Sequence, residues 1–400
     1  MSSFRVLLVS LPLAIAVACG GGGGTSGATA SATSIAAATP SSRMLSVELA
    51  NAPATAMPSS GMPGMMGPGG GGDMFPPVSI GADGCHPHLF LRVEAVSRRL
   101  NRHLFKFLGR IDTLIADTPS IATDGQMVWE KVFPDGLDAK FTIARVADMV
   151  FSWTLELRQG TTGDFTTVFS GQIDRTGAAD VHQGKGTLTL DLTALHTVIP
   201  AEPATGAIQV AFDVTAASRE VVLDAADVVW DDDGDPDDLP AVAPRNAHYV
   251  YLAEAGKGGS LKAADQMIFA CPANPTSARA DVNLVHRWVD ESDGSVHGRS
   301  DALMKNGQLT ATQQEVGVTC HLAPRMPTAM RMLLPDIEGY WLMKLEDGGS
   351  VLAGSVHQAG SPSACDPAFG PVPAADSTTD DFDFSSVNFE DSTPFPFPGM

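Results

Sequence analysis

Alternation of apolar and polar residues is the feature that most restricts how this chain can fold. The alternation begins near residue 125, continues to about residue 355, and is unbroken at residues 151–158 and 187–193. Successive side chains on a strand point to opposite faces of a sheet. A period of two therefore predicts antiparallel strands, each with one face buried and one face toward water.

Turn signals separate the predicted strands. The dipeptides Asp293-Gly294 and Asn306-Gly307 favour the tight turns of hairpins. Residues 280–322 are therefore predicted to form a three-strand meander, in a total of about ten to twelve strands. Helical patterns do not alternate with these strands, so a parallel sheet with crossover helices is a poor fit.

Residues 86–116 have the period of a helix instead. Apolar residues recur there every three or four positions and share one face, while six of the chain's 25 Lys and Arg share the other. The apolar positions are Leu89, Val93, Val96, Leu100, Leu104, Leu108, Ile111 and Ile115, and the basic ones are Arg92, Arg98, Arg99, Arg102, Lys106 and Arg110. The basic face fits a solvated surface, a contact with anionic lipid, or a docking surface for an acidic partner.

These patterns predict an α+β, β-rich fold with one long N-terminal amphipathic helix packed on a large antiparallel sheet, curved or forming a partial barrel. The helix is expected across the concave face of that sheet. The globular body is predicted over residues 81–369. Low-complexity sequence predicts a disordered Gly/Ala/Pro/Met-rich tether at residues 19–80 and a disordered acidic tail at residues 370–400.

The first two dozen residues are typical of an exported protein. Arg5 precedes an apolar run of about a dozen residues, which has the length of a signal-peptide core and is too short to span a bilayer. Small residues at positions 16–18 lead to Cys19, and residues 20–24 are all glycine. Residues 1–18 are therefore predicted to be a signal peptide. The same small residues also suit the ordinary signal peptidase, which would release a soluble protein.

Ala16-Val17-Ala18-Cys19 followed by the glycine run resembles the N-terminus of uncharacterised bacterial lipoproteins, a group that brings no known activity. The resemblance implies that Cys19 carries lipid and becomes the mature N-terminus. Ala16 departs from the leucine that this pattern prefers. Gly20, by analogy with the sorting rule of enteric bacteria, implies the outer membrane, on its periplasmic or cell-surface side.

The cysteine count agrees with a lipid anchor. The chain has five cysteines, and an odd number is awkward in an exported protein. If Cys19 carries lipid, four remain for two disulfides in an oxidising compartment. Of the three possible pairings we favour Cys271 with Cys320, at the ends of strands predicted to be neighbours, and Cys85 with Cys365.

Charge and motifs restrict the chemistry. The formal net charge of −21 opposes binding to nucleic acid, which requires a basic footprint. Neither a nucleophile elbow nor a phosphate-binding loop occurs, and no His or Cys spacing fits zinc. The sequence therefore predicts no catalytic residue, no metal and no cofactor. Six aspartates lie within residues 231–238, where a solvated loop and a calcium loop outside the EF-hand pattern both stay open.

His286 and Trp288 are the weak candidates for contact with a ligand. Both share the predicted apolar face of one strand with Val282 and Leu284. A single histidine on such a face is more often a core residue with its hydrogen bonds satisfied.

The sequence-based hypothesis is a lipid-anchored extracytoplasmic lipoprotein, held to the membrane through lipid on Cys19. Its role is expected to be non-enzymatic, either structural or binding a protein or polysaccharide partner. One alternative is a carrier of an apolar ligand between the helix and the curved sheet, which would need a cavity of roughly 300 Å³ or more. A second alternative is an enzyme of unrecognised type.

Overall fold

The structure is a computed structural model of the 400-residue chain. It describes residues 35, 38–47, 89, 93, 97, 101, 107–134, 136–201, 204–229, 245–268, 279–292, 295–323, 338–365, 367–369 and 372. The anchor residues 1–24, the cysteines Cys85 and Cys271 and the acidic run 231–238 lie outside these described residues.

A single antiparallel sheet of sixteen strands dominates the described residues, and strands that follow one another in the chain are neighbours in the sheet from β1 to β15. The last strand, β16, pairs with β14. The strands are β1 (Ile121–Ala122), β2 (Gln126–Val132), β3 (Leu137–Ala147), β4 (Val150–Gln159), β5 (Thr166–Asp174), β6 (Gly184–Asp191), β7 (Thr205–Val214), β8 (Ser218–Val229), β9 (Arg245–Glu254), β10 (Gly258–Ile268), β11 (Arg279–Asp290), β12 (Val296–Lys305), β13 (Gln313–Ala323), β14 (Glu338–Asp347), β15 (Ser350–Val351) and β16 (His357–Gly360).

The alternation read from the sequence matches the burial of these strands. β4 contains the predicted strand at 151–158, and every second side chain from Phe151 to Leu157 is buried. The predicted meander at 280–322 is present as β11, β12 and β13. The prediction at 187–193 ends two residues too late, because the Asp191 side chain accepts a hydrogen bond from the Ala194 N–H and begins the helix Leu192–Val198.

The sixteen strands of the described residues exceed the expected ten to twelve, and three of them, β1, β15 and β16, are only two to four residues long. Clean alternation is also missing from some longer strands. β12 is buried at nearly every position, since both of its faces are covered. On its outer face, buried residues of β12, β13 and β14 pack with Cys365 of the C-terminal segment. A strand covered on both faces has no polar side to reveal its period.

Residues 38–47, which lie within the predicted tether at residues 19–80, pack into the main core. Apart from Ile35, the other residues of that prediction lie outside the described part of the chain. Met44 and Leu45 are each 1% exposed and belong to the same cluster as the apolar residues of the sheet. The Trp153 Nε1–H donates a 2.7 Å hydrogen bond to the Ala38 carbonyl. The low complexity around this segment hides a short apolar stretch that the sheet can bury.

Helical residues also pack on the sheet. Within the predicted helix at 86–116, the structure describes helical residues at 107–115 and at the single positions 89, 93, 97 and 101. Whether these form one continuous long helix lies outside the described residues. The phenyl rings of Phe107 and Phe169 lie 4.9 Å apart. Ser97 Oγ donates to the Val47 carbonyl, which ties the helical residues to the N-terminal segment. The remaining described helices are Ser42–Leu45 and the 3-10 turns Pro362–Ala364 and Pro367–Phe369, besides Leu192–Val198.

Within the part of the chain that the structure describes, none of the helices combines the length and the apolar character needed to cross a membrane.

Candidate functional site

A row of four aromatic rings crosses the inner face of the sheet. His321, His286, Trp288 and Tyr251 follow one another with ring centroids 5.5, 5.7 and 6.0 Å apart. All four side chains are buried, at 3% exposure or less. The strand register produces this row, because His286 and Trp288 are two residues apart on β11 and therefore share a face.

Glycines make room for these rings. In the ladder, Gly298 of β12 pairs with Trp288 on one side and with His321 on the other. A Cβ atom at Gly298 would come within 2.2 Å of the His321 ring, and one at Gly259 would come within 2.5 Å of the Trp288 ring. The row therefore depends on glycine where neighbouring backbone and rings approach most closely.

His286 lies inside the core. It is 0% exposed, and its Nδ1 lies 2.9 Å from the hydroxyl of Ser300 on the neighbouring strand. A hydroxyl beside an imidazole can donate to it or accept from it, depending on the tautomer. No solvent reaches the pair, so this geometry is that of a hydrogen-bonded core histidine.

Trp288, by contrast, lines a cleft of about 260 Å³. The cleft lies at one end of the sheet, between the turn that joins β7 to β8 and the turn that joins β9 to β10. Tyr251 and Trp288 are buried side chains on this lining, and Arg219, Glu254 and Asp290 add charged groups. The rings of Tyr251 and Trp288 are almost fully buried beneath this lining, so the surface of the cleft is mainly polar.

Hydrogen bonds hold the walls of the cleft in place. The Ala255 N–H donates to the Ala217 carbonyl at 2.9 Å and joins the two turns. Arg219 Nη1 donates to the carbonyl and the hydroxyl oxygen of Ser46, at 3.1 and 2.7 Å. The Lys257 ammonium donates to Glu254, and this hydrogen bond raises the pKa of Lys257. Because Ser46 belongs to the N-terminal segment 38–47, its bonds with Arg219 connect that segment to one wall of the cleft.

A second polar cluster lies buried on the outer face. Arg299 donates to Asp301 at 2.8 Å, and Arg287 donates to the same carboxylate at 3.2 Å. Arg299 also donates to the Phe369 carbonyl at 3.2 Å. Burial raises the pKa of Asp301, and the two guanidinium groups oppose that rise. Both guanidinium groups bond to the one carboxylate inside the cluster, and this internal pairing favours a structural role.

The disulfide joins Cys320 to Cys365, with their Cα atoms 5.1 Å apart. The predicted pairings of Cys271 with Cys320 and of Cys85 with Cys365 are therefore wrong. β13, which carries Cys320, has β12 and β14 as neighbours, whereas Cys271 follows β10 in the chain. The C-terminal segment instead returns over the outer face of β13 and β14.

No group of three or more His, Cys, Asp or Glu side chains able to hold a metal ion occurs among the described residues. The possible calcium loop at 231–238 lies outside them, as does the lipidation candidate Cys19. Of the two ligand-contact candidates, the structure brings only Trp288 to the cleft. Sequence reasoning missed Arg219 and Tyr251, because only the register of four strands brings them beside Trp288.

Comparisons of the chain with protein-family models, with curated proteins and with solved structures find no match.

Proposed function

We propose that this chain is a lipid-anchored extracytoplasmic lipoprotein with a non-enzymatic binding role, and that the cleft beside Trp288 is its binding site. The observation that carries the proposal is the composition of that cleft. Arg219, Glu254 and Asp290 supply charged groups on its lining, and the buried rings of Tyr251 and Trp288 support that lining from below. Such a surface suits recognition of a small partner group.

The disulfide supports the extracytoplasmic part of the proposal. Disulfides persist mainly in oxidising compartments outside the cytoplasm. With Cys320 bonded to Cys365, the chain has three further cysteines: Cys19, Cys85 and Cys271. If Cys19 carries lipid, two cysteines remain besides the disulfide, which is an even number. The cysteine count therefore still favours an anchor on Cys19. We place the anchored protein at the outer membrane, on its periplasmic or cell-surface side.

The alternative hypothesis, a carrier of an apolar ligand, has less support than a binding cleft. It requires an empty space between the helix and the sheet. Leu108, Ile111 and Leu114 of the helical segment are at most 2% exposed and pack in the same core cluster as the sheet. Buried Leu89 and Val93, four residues apart, support the further proposal that residues 86–116 form one helix across the inner face. That helix would fill the space that a carrier needs.

Mass spectrometry of the mature N-terminus, combined with cell fractionation, tests the anchor. We expect a diacylglyceryl mass on Cys19 and the protein in the membrane fraction. Cys19→Ala should release the body into the soluble fraction, whereas Cys365→Ala should leave the anchor intact. An unmodified N-terminus in the soluble fraction would contradict the proposal. Peptide mapping without reduction should also recover Cys320 linked to Cys365.

A further inference from the structure

Exposed apolar side chains gather at the end of the sheet that holds the cleft, which we call the cleft end. This end is formed by the connections that join β3 to β4, β5 to β6, β7 to β8, β9 to β10 and β11 to β12. Among the described residues, seven large apolar side chains are exposed, and five of them lie at the cleft end. The five are Val146, Met149, Val181, Leu252 and Leu322. Single exposed apolar residues need no explanation, whereas a concentration of them at one end indicates a contact surface.

Irregular backbone directs two of these side chains outward. Val146 is the extra residue of a β-bulge, because the pairing of β3 with β4 shifts between Arg145 and Ala147, and its side chain is 56% exposed. Met149, in the tight turn that follows, has a φ of 56°, a left-handed conformation that bulky residues rarely adopt. Bulges re-aim side chains, and backbone strain persists mainly where it has a use. Here both irregularities expose an apolar group.

The connection between β5 and β6 adds a third apolar side chain. The Arg175 N–H donates to the Met149 carbonyl at 2.8 Å, and Arg175 Nη2 donates to the Asp180 carbonyl at 2.6 Å. One arginine thus ties this connection to the turn between β3 and β4. Val181, the next residue, is 47% exposed. We call Val146, Met149 and Val181 the apolar tip.

The N-terminal segment 38–47 contacts the same end of the sheet. Ser41 Oγ lies 3.2 Å from Nδ1 of His182, in the connection between β5 and β6. Cys19 precedes Ser41 by 22 residues, which span at most about 75 Å when fully extended. The opposite end of the sheet lies about 30 Å farther away, at the ~3.3 Å per residue of a strand. Lipid on Cys19 would therefore favour the cleft end as the end that faces the membrane.

Charges beside the apolar tip restrict the kind of surface that it can meet. Asp148 directly precedes Met149, and Asp180 directly precedes Val181. A second copy of this chain would bring the same carboxylates together, and anionic lipid would meet both them and the net charge of −21, so repulsion opposes each. A zwitterionic phospholipid presents an ammonium group outermost, with hydrocarbon beneath it. This order of charge and apolar material complements a carboxylate next to an apolar side chain.

We propose that the cleft end rests on a zwitterionic phospholipid surface, with the apolar tip in the headgroup layer and the carboxylates of Asp148 and Asp180 beside the ammonium groups. The inference rests on the proposed anchor and adds which face of the body meets the membrane. The contact is shallow, because the two carboxylates must stay hydrated. Lipid on Cys19 therefore supplies most of the affinity for the membrane.

Fluorescence quenching on vesicles tests the inference without relying on the natural lipid. The chain from residue 19 onward, with an N-terminal histidine tag, is held by nickel-chelating lipid on phosphatidylcholine vesicles that contain phosphatidylcholine brominated near the headgroups. Val181→Trp places a reporter on the apolar tip, and Val132→Trp places the same reporter at the opposite end of the sheet, where Val132 is 53% exposed. The bromine should quench the fluorescence added by Val181→Trp alone. Equal quenching in both variants, or none at Val181→Trp, would overturn the proposal.

Partition of the untagged chain into vesicles measures the contribution of the apolar tip. Met149→Asn keeps a residue that tolerates the left-handed conformation, so it is combined with Val181→Ser, and Val132→Ser is the matched control. Affinity for phosphatidylcholine vesicles should fall at least about fivefold in the double variant, because two apolar side chains are lost, and should stay unchanged in the control. Added phosphatidylglycerol should weaken binding at low salt. Stronger binding to the anionic vesicles would overturn the proposal, as would a double variant that loses self-association in sedimentation and keeps its vesicle binding.

The anchor is measured separately, by mass spectrometry of the natural N-terminus. Lipid on Cys19 together with equal quenching at both reporters would refute this inference alone. Quenching confined to Val181→Trp, in a protein whose natural N-terminus lacks lipid, would refute the anchor alone.

Discussion

The carboxyl group of Glu315 lies in an apolar environment within the sheet. Its partners across the neighbouring strands are Met304 on β12 and Leu345 on β14. Burial among these side chains raises the pKa of Glu315 to about 7. Desolvation disfavours the charged form, so the folded protein holds this proton over a pH range in which the unfolded chain has lost it.

This raised pKa predicts a loss of stability as pH rises. The carboxyl of the unfolded chain releases its proton near the ordinary glutamate value of 4.5, whereas the folded one keeps it to about 7. The free energy of unfolding should therefore fall between these values, by at most about 3 kcal/mol, and level off above them. Urea unfolding from pH 4.5 to 8 measures the slope.

Glu315→Gln should remove that component of the slope and make the protein more stable than wild type at pH 8. Glu220→Gln, at an exposed position, is the matched control and should keep the wild-type slope. Identical slopes in the wild type and the Glu315→Gln variant would show that the folded carboxyl titrates normally.

At the level of elements, the row of aromatic rings couples strands β9, β11 and β13 across the inner face. His286 and His321 stack at 5.5 Å because the strand between them carries Gly298 at the point of contact. A larger residue at this position would need the His321 ring to move, and that ring is 1% exposed in a packed core. Overpacking of this kind typically costs about 1–3 kcal/mol.

Gly298→Ala should therefore lower the free energy of unfolding by about that amount. Gly125→Ala is the control, because no atom lies within 4 Å of a Cβ built at Gly125. Chemical denaturation of both variants gives the comparison. A change at Gly298 as small as the change at Gly125 would mean that the ring row adjusts freely, contrary to the tight packing described above.

At the level of the whole molecule, the N-terminal segment 38–47 packs into the core of the sheet and also contacts a wall of the cleft. Leu45 is 1% exposed, and the next residue, Ser46, accepts the hydrogen bonds of Arg219. Residues 38–47 are thus built into the body. Removal of its apolar side chains should destabilise the protein as a core mutation does.

Leu45→Ala should cost about 2–5 kcal/mol of stability, the usual range for a buried leucine. Leu252→Ala, at a leucine that is 37% exposed, should cost much less. Thermal or urea unfolding distinguishes the two. If Leu45→Ala proved as mild as Leu252→Ala, residues 38–47 would be a tether as the sequence pattern predicts, and their packing would add little.

Local patterns were sufficient for the strands and insufficient for the site. The alternation at 151–158 needs only the geometry of one strand, so it predicts β4 without knowledge of any neighbour. The dipeptides Asp293-Gly294 and Asn306-Gly307 are equally local signals, and they predict the meander β11 to β13. His286 and Trp288 could be placed on one face for the same reason. Which of the two reaches a cleft depends on the turns before Ser218 and Gly258, and residue spacing carries no information about that.

The sequence by itself determined a β-rich antiparallel body and a shared face for His286 and Trp288, because side-chain alternation is a property of single strands. Only the tertiary structure decided that Cys320 pairs with Cys365, that residues 38–47 belong to the core, and that Arg219 and Tyr251 join Trp288 at a cleft. Each of these depends on contacts between residues distant in the chain. Such contacts are selected by the packing of the whole sheet, since no local pattern distinguishes one distant partner from another.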